Sequence, residues 1–331
     1  LPEREPAKAA PRVARRPIGA FLLNDAMTPF DLQLNGYQGV DFNADGLTAA
    51  DLRRACEGVR ADGGGCFLAT VITDRIDRMA ARIARLAELR ADDPLIASAL
   101  AGIHVEGPCI SGLAGFVGAH PREHVLEARV DVVAPLVSAG QGLVRLFTLA
   151  PEHDAGQATI RWLAERGILV AAGHCDPTAA QLERAIDAGL SGFTHLGNGC
   201  PAQLHRHDNI IQRVLASDRL RWVTIIPDGV HLPPSMIRTV IRAVGIDRVI
   251  AVTDATAAGG MGPGRFRLAS REVLVDDDGA AWAPDRSHLV GSTASMGRVI
   301  EVLGRDVGLS AGEVERIIAV NPARTLGLES A

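Results

Sequence analysis

Three side chains of metal-ligand type stand at equivalent points in this sequence. Glu106 follows the apolar run Ser98-Ala99-Leu100-Ala101-Gly102-Ile103 and precedes Gly107-Pro108, where the chain must turn. His174 follows Ile168-Leu169-Val170-Ala171-Ala172-Gly173, and His195 follows Gly192-Phe193-Thr194. An ionised carboxylate where a buried strand opens into a loop is costly unless it is paired or bound to a cation. One Glu and two His form an N/O set suited to Zn²⁺ or a similar divalent ion. Three protein ligands leave a position for water, which is the catalytic pattern. Asp254, in Val252-Thr253-Asp254-Ala255-Thr256, is a carboxylate at a further strand end. It is placed to take a proton from an activated water and hand it to a leaving group. His104, two residues before Glu106, shares its strand face; it reads either as a group that orients a ligand or as packing.

These residues need a scaffold that gathers strand ends in one place. Apolar runs near 30–36, 66–72, 98–106, 143–150, 168–173, 192–194, 222–227 and 248–253 read as strands. Stretches with helical spacing lie between them, near 48–62, 74–90, 123–139, 155–166, 177–188, up to 216, and 233–244. Ile76, Met79, Ile83, Leu86 and Leu89 make an apolar stripe, and Thr48 with Asp51 makes a helix start. Eight such alternations, with strands apolar on both faces, predict an α/β chain folded as a (β/α)₈ TIM barrel. Its active residues would lie at the C-terminal mouth. Residues 265–290 interrupt the pattern as a small β-hairpin insertion after strand eight. Helices near 292–305 and 311–319 and a turn at 321–324 follow. Residues 1–29, with Pro2, Pro6, Pro11 and Pro17, are expected to form an N-terminal arm, loose or draped on a barrel domain of residues 30–331.

The bulk numbers exclude other classes. The chain has 331 residues, 47% hydrophobic and 22% charged, an ordinary globular balance. Net charge is −5 and Lys8 is the only lysine, so no basic face directs it to nucleic acid or an anionic membrane. No apolar run approaches the ~20 residues of a membrane span, and no secretory signal pattern opens the sequence. Five cysteines without CxxC spacing read as free thiols, which sets the expectation of a cytoplasmic protein.

Taken in series, HVEGP (104–108), GAHP (118–121), AAGHCDPT (171–178), THLGNGCP (194–201), PDGVHLP (227–233), VTDATAAGG (252–260), LVGSTASM (289–296) and NPAR (321–324) resemble the N-acetylglucosamine-6-phosphate deacetylase family of the amidohydrolase superfamily. The resemblance runs from about Phe30 to the end. It implies metal-dependent hydrolysis of the acetamide of an N-acetyl amino sugar, first of all N-acetylglucosamine 6-phosphate. By the same resemblance Glu106, His174 and His195 hold the metal, Asp254 is the general base and acid, and His120 stands beside the scissile amide next to Ala119. Asn198 and Gly199 touch the sugar, and Leu289, Val290 and Gly291 form a closing loop. Arg206 and His231 bind the phosphate, with Arg206 reaching across a homodimer.

Gln33 and Asn35 stand where many amidohydrolases carry His-x-His, and no lysine ends strand four. Both features resemble single-metal members, implying one divalent ion per subunit: zinc first, with iron, cobalt and manganese as alternatives. Gln33, Asn35 and His104 are then candidates for contacts behind the ligands or through water. Two departures carry expectations of their own. Most of the family's accessory β-sandwich is expected to be missing, and Gly197 and Gly199 are expected to widen the pocket. The alternatives are a related amidohydrolase that deacylates another N-acyl sugar or amide, or a catalytically silent sugar-binding protein.

Overall fold

The computed structural model describes residues 28–269 and 271–328. The expected N-terminal arm therefore lies, apart from Thr28 and Pro29, outside the described residues. Eight parallel strands follow one another round a barrel in chain order: β1 (Phe30–Leu34), β2 (Cys66–Ile72), β3 (Leu100–Glu106), β4 (Val144–Leu149), β5 (Leu169–Ala172), β6 (Leu190–Phe193), β7 (Trp222–Ile225) and β8 (Val249–Ala251). Almost every residue of these strands is buried, which is why they read as unbroken apolar runs. Leu32, Leu68, Ala101, Leu146, Trp222 and Ile250 fill the lumen. Phe67, Val71, Ile103, Val105 and Phe147 point the other way, against an outer layer that includes Met79, Ile83 and Leu86. On β3 this alternation turns His104 and Glu106 inward.

The join between β8 and β1 is made partly by a side chain. β8 stops at Ala251, and Thr253 turns instead to the carboxylate of Asp31, with its N–H at 3.2–3.3 Å and its hydroxyl at 2.5 Å. Backbone bonds from Asp254 N to Gln33 O (2.9 Å) and Asn35 N to Ala255 O (2.8 Å) complete the seam. Burial pushes the Asp31 carboxyl up to about 7, against the lowering effect of its bonds from Thr253 and Gln33.

Helices Ala49–Ala61, Ile76–Asp92, Ala158–Glu165, Ala179–Ala188, Ile210–Leu215 and Pro234–Val244 lie where helical spacing places them. Other elements differ from the sequence reading. Ser98 and Ala99 belong to a short helix, Pro94–Ala99, whose first N–H groups are taken by Asp93 Oδ1 (Leu95 N, 2.8 Å), so β3 begins at Leu100. The helix expected over 123–139 runs only from Val130 to Ala139, after a single tight turn at Arg122–His124. The inserted hairpin is a three-stranded antiparallel sheet: β9 (Gly264–Leu268), β10 (Arg271–Val275) and β11 (Ala281–Trp282). The helix expected over 292–305 starts at Met296 and widens into π-helical turns over Val302–Val307, a widening repeated at Arg316–Val320.

The small sheet caps one side of the mouth. Leu268, Val273, Val275 and Val290 pack on Ile72 and Ala258. Polar ties hold it there, from Ala269 N to Asp41 Oδ2 (2.6 Å) and from Arg271 Nη2 to the carbonyl of His120 (3.0 Å).

Candidate active site

The strand ends that read as chemistry are also where the backbone is strained. His174, His195 and Asp254 adopt left-handed φ values of 51°, 34° and 49°, three of eight non-glycine residues with positive φ among the described residues. Such conformations cost about 1–3 kcal/mol each and persist only where surrounding bonds impose them. Those bonds are present. Ser111 N donates to His174 O (2.9 Å), and Thr224 Oγ1 accepts from His195 N (2.7 Å). Asp254 is gripped at both ends, its N–H by Gln33 O and its carbonyl by Ser292 N (both 2.9 Å).

Glu106, His174 and His195 converge as expected. Glu106 Oε1 lies 2.8 Å from His195 Nε2 and 3.5 Å from His174 Nε2, and the three donor atoms lie within 4.8 Å of one another. All three residues are buried. His174 Nδ1 donates to the carbonyl of Phe116 at 2.7 Å, which turns Nε2 to the centre. Burial alone would push the Glu106 carboxyl up, but the bonds and charges of His174 and His195 hold it well below the usual carboxylate range. Burial likewise opposes a charge on His195, yet its bond to Glu106 raises its pKa. An anionic carboxylate facing two imidazole nitrogens is a donor set that fits a small divalent cation. Gln33 Nε2 donates to Glu106 Oε1 at 3.0 Å and so orients that carboxylate from behind.

His120 faces the same centre, its ring 4.5 Å from that of His174 and its Nε2 3.8 Å from Glu106 Oε2. Its Nδ1 takes the backbone N–H of Thr73 at 3.4 Å and lies 2.8 Å from the Thr73 hydroxyl. An Nδ1 that accepts leaves the hydrogen on Nε2. Burial, with the charge of His174 beside it, pushes the His120 pKa down to about 3, so the ring is a neutral donor. Asp254 Oδ1 accepts from Asn35 Nδ2 at 2.7 Å, and burial together with the charge of Glu106 raises its carboxyl to about 6. His231 Nδ1 is held by Asp228 Oδ2 at 2.7 Å.

A cavity of about 210 Å³ opens over these groups. Glu106, His120, His174, His195 and Asp254 border it, with Asn35 and His231. Ala119, Asn198, Gly199, Leu289 and Gly291 of the expected substrate residues border it too. Others stand elsewhere. Arg206 is exposed on its loop and outside the cavity wall of its own chain, and Val290 packs beneath the small sheet. His104 lies below the cavity, its Nε2 2.8 Å from Thr148 Oγ1, and burial lowers its pKa to about 4.

The pocket glycines also answer a packing need. A Cβ on Gly199 would stand 2.8–3.1 Å from the His174 ring, and one on Gly197 would stand 3.0 Å from Leu232. They make room for the His174 ring and for Leu232, and both border the cavity. Thr73 and His288 were not anticipated; Thr73 follows a strand end, a weak signal, and His288 had none beyond adjoining Leu289. Buried polar atoms without partners gather here: Gln33 Oε1, Asn35 Oδ1, His195 Nδ1, Asn198 Nδ2 and His288 Nε2. Such atoms are rare in native interiors, and their concentration suits a polar ligand.

No protein-family model matches the chain. The N-acetylglucosamine-6-phosphate deacetylase of Bos taurus is 32% identical over 90% of this chain, which covers 73% of that protein. The N-acetylgalactosamine-6-phosphate deacetylase of Escherichia coli O157:H7 is 29% identical over 90% of this chain and 77% of its own length. Among solved structures, an Asp-to-Ala variant of the Mycobacterium smegmatis N-acetyl-D-glucosamine-6-phosphate deacetylase, in complex with N-acetyl-D-glucosamine-6-phosphate, superposes with a TM-score of 0.83. It is 32% identical, over 92% of this chain and 78% of that one.

Proposed function

The chain belongs to the N-acetylglucosamine-6-phosphate deacetylase family, and from that premise we propose that it hydrolyses the acetamide of an N-acetylhexosamine 6-phosphate to acetate and the free amino sugar phosphate. The observation that carries this reading is the meeting of Glu106, His174 and His195 with Asp254 at one mouth. Glu106, His174 and His195 hold one divalent ion, zinc by donor type with iron, cobalt and manganese as alternatives. When bound, it supplies a lowered water pKa and polarises the carbonyl.

The chain's own groups do the rest. Asp254, steadied by Asn35, takes the proton of the attacking water and delivers it to the departing amine. His120, neutral and with its hydrogen on Nε2, donates to the oxyanion as the carbonyl becomes tetrahedral. Gln33 keeps Glu106 oriented. Asn198, Gly199, Leu289 and Gly291 position the sugar, and His231 meets the phosphate.

Arg206, exposed in its own chain, completes the phosphate site of a partner subunit in a homodimer. Among the described residues no helix is long and apolar enough to cross a membrane. A cytoplasmic enzyme made of an N-terminal arm and a barrel remains the reading.

The test is to compare acetate release from phosphorylated and free N-acetylhexosamines. The phosphorylated sugar should be preferred, and Arg206→Ala should lose that preference; equal rates on both, or no effect of Arg206→Ala, would remove the phosphate from the reading. A second reading takes the galacto epimer as substrate, because a relative named for it matches this chain at similar identity. The same assay run on both epimers decides between them.

A further inference from the structure

Three histidines at the mouth have a tethered Nδ1, and they are held in opposite ways. His174 Nδ1 meets the carbonyl of Phe116 and His231 Nδ1 the carboxylate of Asp228, both at 2.7 Å, so each faces an acceptor. His120 Nδ1 faces donors instead. The Thr73 N–H, 3.4 Å away, can only donate, so Nδ1 turns a lone pair to it. The Thr73 hydroxyl stands 2.8 Å from the same nitrogen. A hydroxyl bonds either way, but against a lone pair it must donate. One residue thus aims two donors at one atom of the ring. Thr73 is itself fixed. It is buried directly after β2, and its neighbour Asp74 lies 2.8 Å from Nη1 of the buried Arg82. A Cβ on Gly107 would stand 2.2 Å from Thr73 Oγ1, so the glycine that follows Glu106 leaves the hydroxyl its place.

We propose that Thr73 is a positioning residue for the reaction: its hydroxyl, together with its N–H, holds His120 in the tautomer with the hydrogen on Nε2 and keeps that nitrogen turned to the reacting centre; this rests on the deacetylase reading above. His120 Nε2 stands 3.8 Å from Glu106 Oε2, and its ring lies 4.5 Å from that of His174, so it faces the ligand cluster and not the protein beneath. The other tautomer would set a lone pair against the developing oxyanion, and the donor would be lost. A free imidazole exchanges tautomers and turns about its side-chain bonds. Two donors at Nδ1 remove that freedom at one end of the residue, and the bond from Arg271 Nη2 to the His120 carbonyl at 3.0 Å removes it at the other. Because Nε2 donates most strongly as the carbonyl becomes tetrahedral, the hydroxyl acts on kcat more than on KM.

The experiment reads the ring first. Nitrogen-15 NMR of zinc-loaded protein labelled in its ten histidines, with His120→Gln identifying the resonances, should show a hydrogen on Nε2 of His120 and a bare, hydrogen-bonded Nδ1. In Thr73→Val, which keeps the shape and drops the hydroxyl, the Nδ1 resonance should move toward that of a lone pair without a donor. Steady-state kinetics on the preferred N-acetylhexosamine 6-phosphate follow. Thr73→Val should lower kcat about five- to tenfold, the worth of one hydrogen bond, with KM nearly unchanged. Thr73→Ser should restore most of the parent kcat. In a His120→Gln background Thr73→Val should cost nothing more, so that the two losses do not add. If Thr73→Val folds poorly, the spectrum of the parent protein carries the test.

A hydrogen on Nδ1 of His120 in the parent protein would overturn the proposal. So would an unchanged kcat in Thr73→Val, or equal losses in the Val and Ser variants. Absence of acetate release by the parent protein from every N-acetylhexosamine phosphate would overturn the deacetylase reading itself, a result distinct from these because the tautomer is read without turnover.

Discussion

In the lower lumen of the barrel Leu32, Leu68, Ala101, Leu146, Trp222 and Ile250 are packed against one another, all but out of reach of water. At the upper ends of the same set of strands stand Glu106, His174, His195 and Asp254, three of them in left-handed backbone and ringed by polar atoms without partners. The lower layer meets every packing demand, whereas the upper one violates several. What the contrast teaches is that the first makes the second possible. A strained strand end costs about 1–3 kcal/mol, and a site with three of them needs a rigid apolar layer beneath it. If so, changes above should cost activity and changes below should cost stability.

The largest effect is expected above. Asp254→Asn keeps the oxygen that accepts from Asn35 but cannot take a proton, and should lower kcat about 10³-fold. Metal content should be unchanged and Tm equal or higher, because a buried carboxyl raised to about 6 is lost. A matching fall in Tm would mean that the two layers are not separable. Below, Trp222→Ala empties a site where the indole lies against Gly192 and its Nε1 bonds Ser191 Oγ at 3.2 Å. It should cost about 3–5 kcal/mol in denaturant unfolding, with kcat per folded molecule within a few-fold of the parent.

Asp31 lies between the two layers, buried at the seam and outside the wall of the cavity. Folded, it keeps its proton to about pH 7; unfolded, it loses it near about pH 4. The folded state binds the extra proton between those values. Asp31 therefore makes stability fall as pH rises from about 4 to about 7, with no further change above. Asp31→Asn retains a neutral partner for Thr253. It should match the parent near pH 4 and exceed it by a few kcal/mol at most at pH 8, read as unfolding midpoints across that range. Parallel curves for the two proteins would show that Asp31 is ionised in the folded chain throughout.

Much of this contrast is legible in the linear chain, and the illegible part has physical causes. A charged or imidazole side chain ending an apolar run stands out, so Glu106, His174, His195 and Asp254 are visible at once. Their left-handed backbone is not, because it is imposed by partners such as Thr224, Gln33 and Ser292 that only the closed barrel brings near. Asp31 reads as one polar position in β1; its partner Thr253 is 222 residues away. The Pro94–Ala99 helix is hidden because, Ser98 apart, apolar residues run across its junction with β3. The glycines of the sugar loop show their packing role only when the His174 ring is seen against Gly199.

The upper layer is proposed as a one-metal deacetylase site. It is tested most directly by acetate release from N-acetylglucosamine 6-phosphate, with bound metal counted on the same sample before and after chelation. Protein carrying about one divalent ion per chain should release acetate, lose that activity on chelation and regain it on adding zinc, with the far-UV circular dichroism unchanged throughout. Release that survives complete removal of the metal, or none from the fully loaded protein, would contradict it.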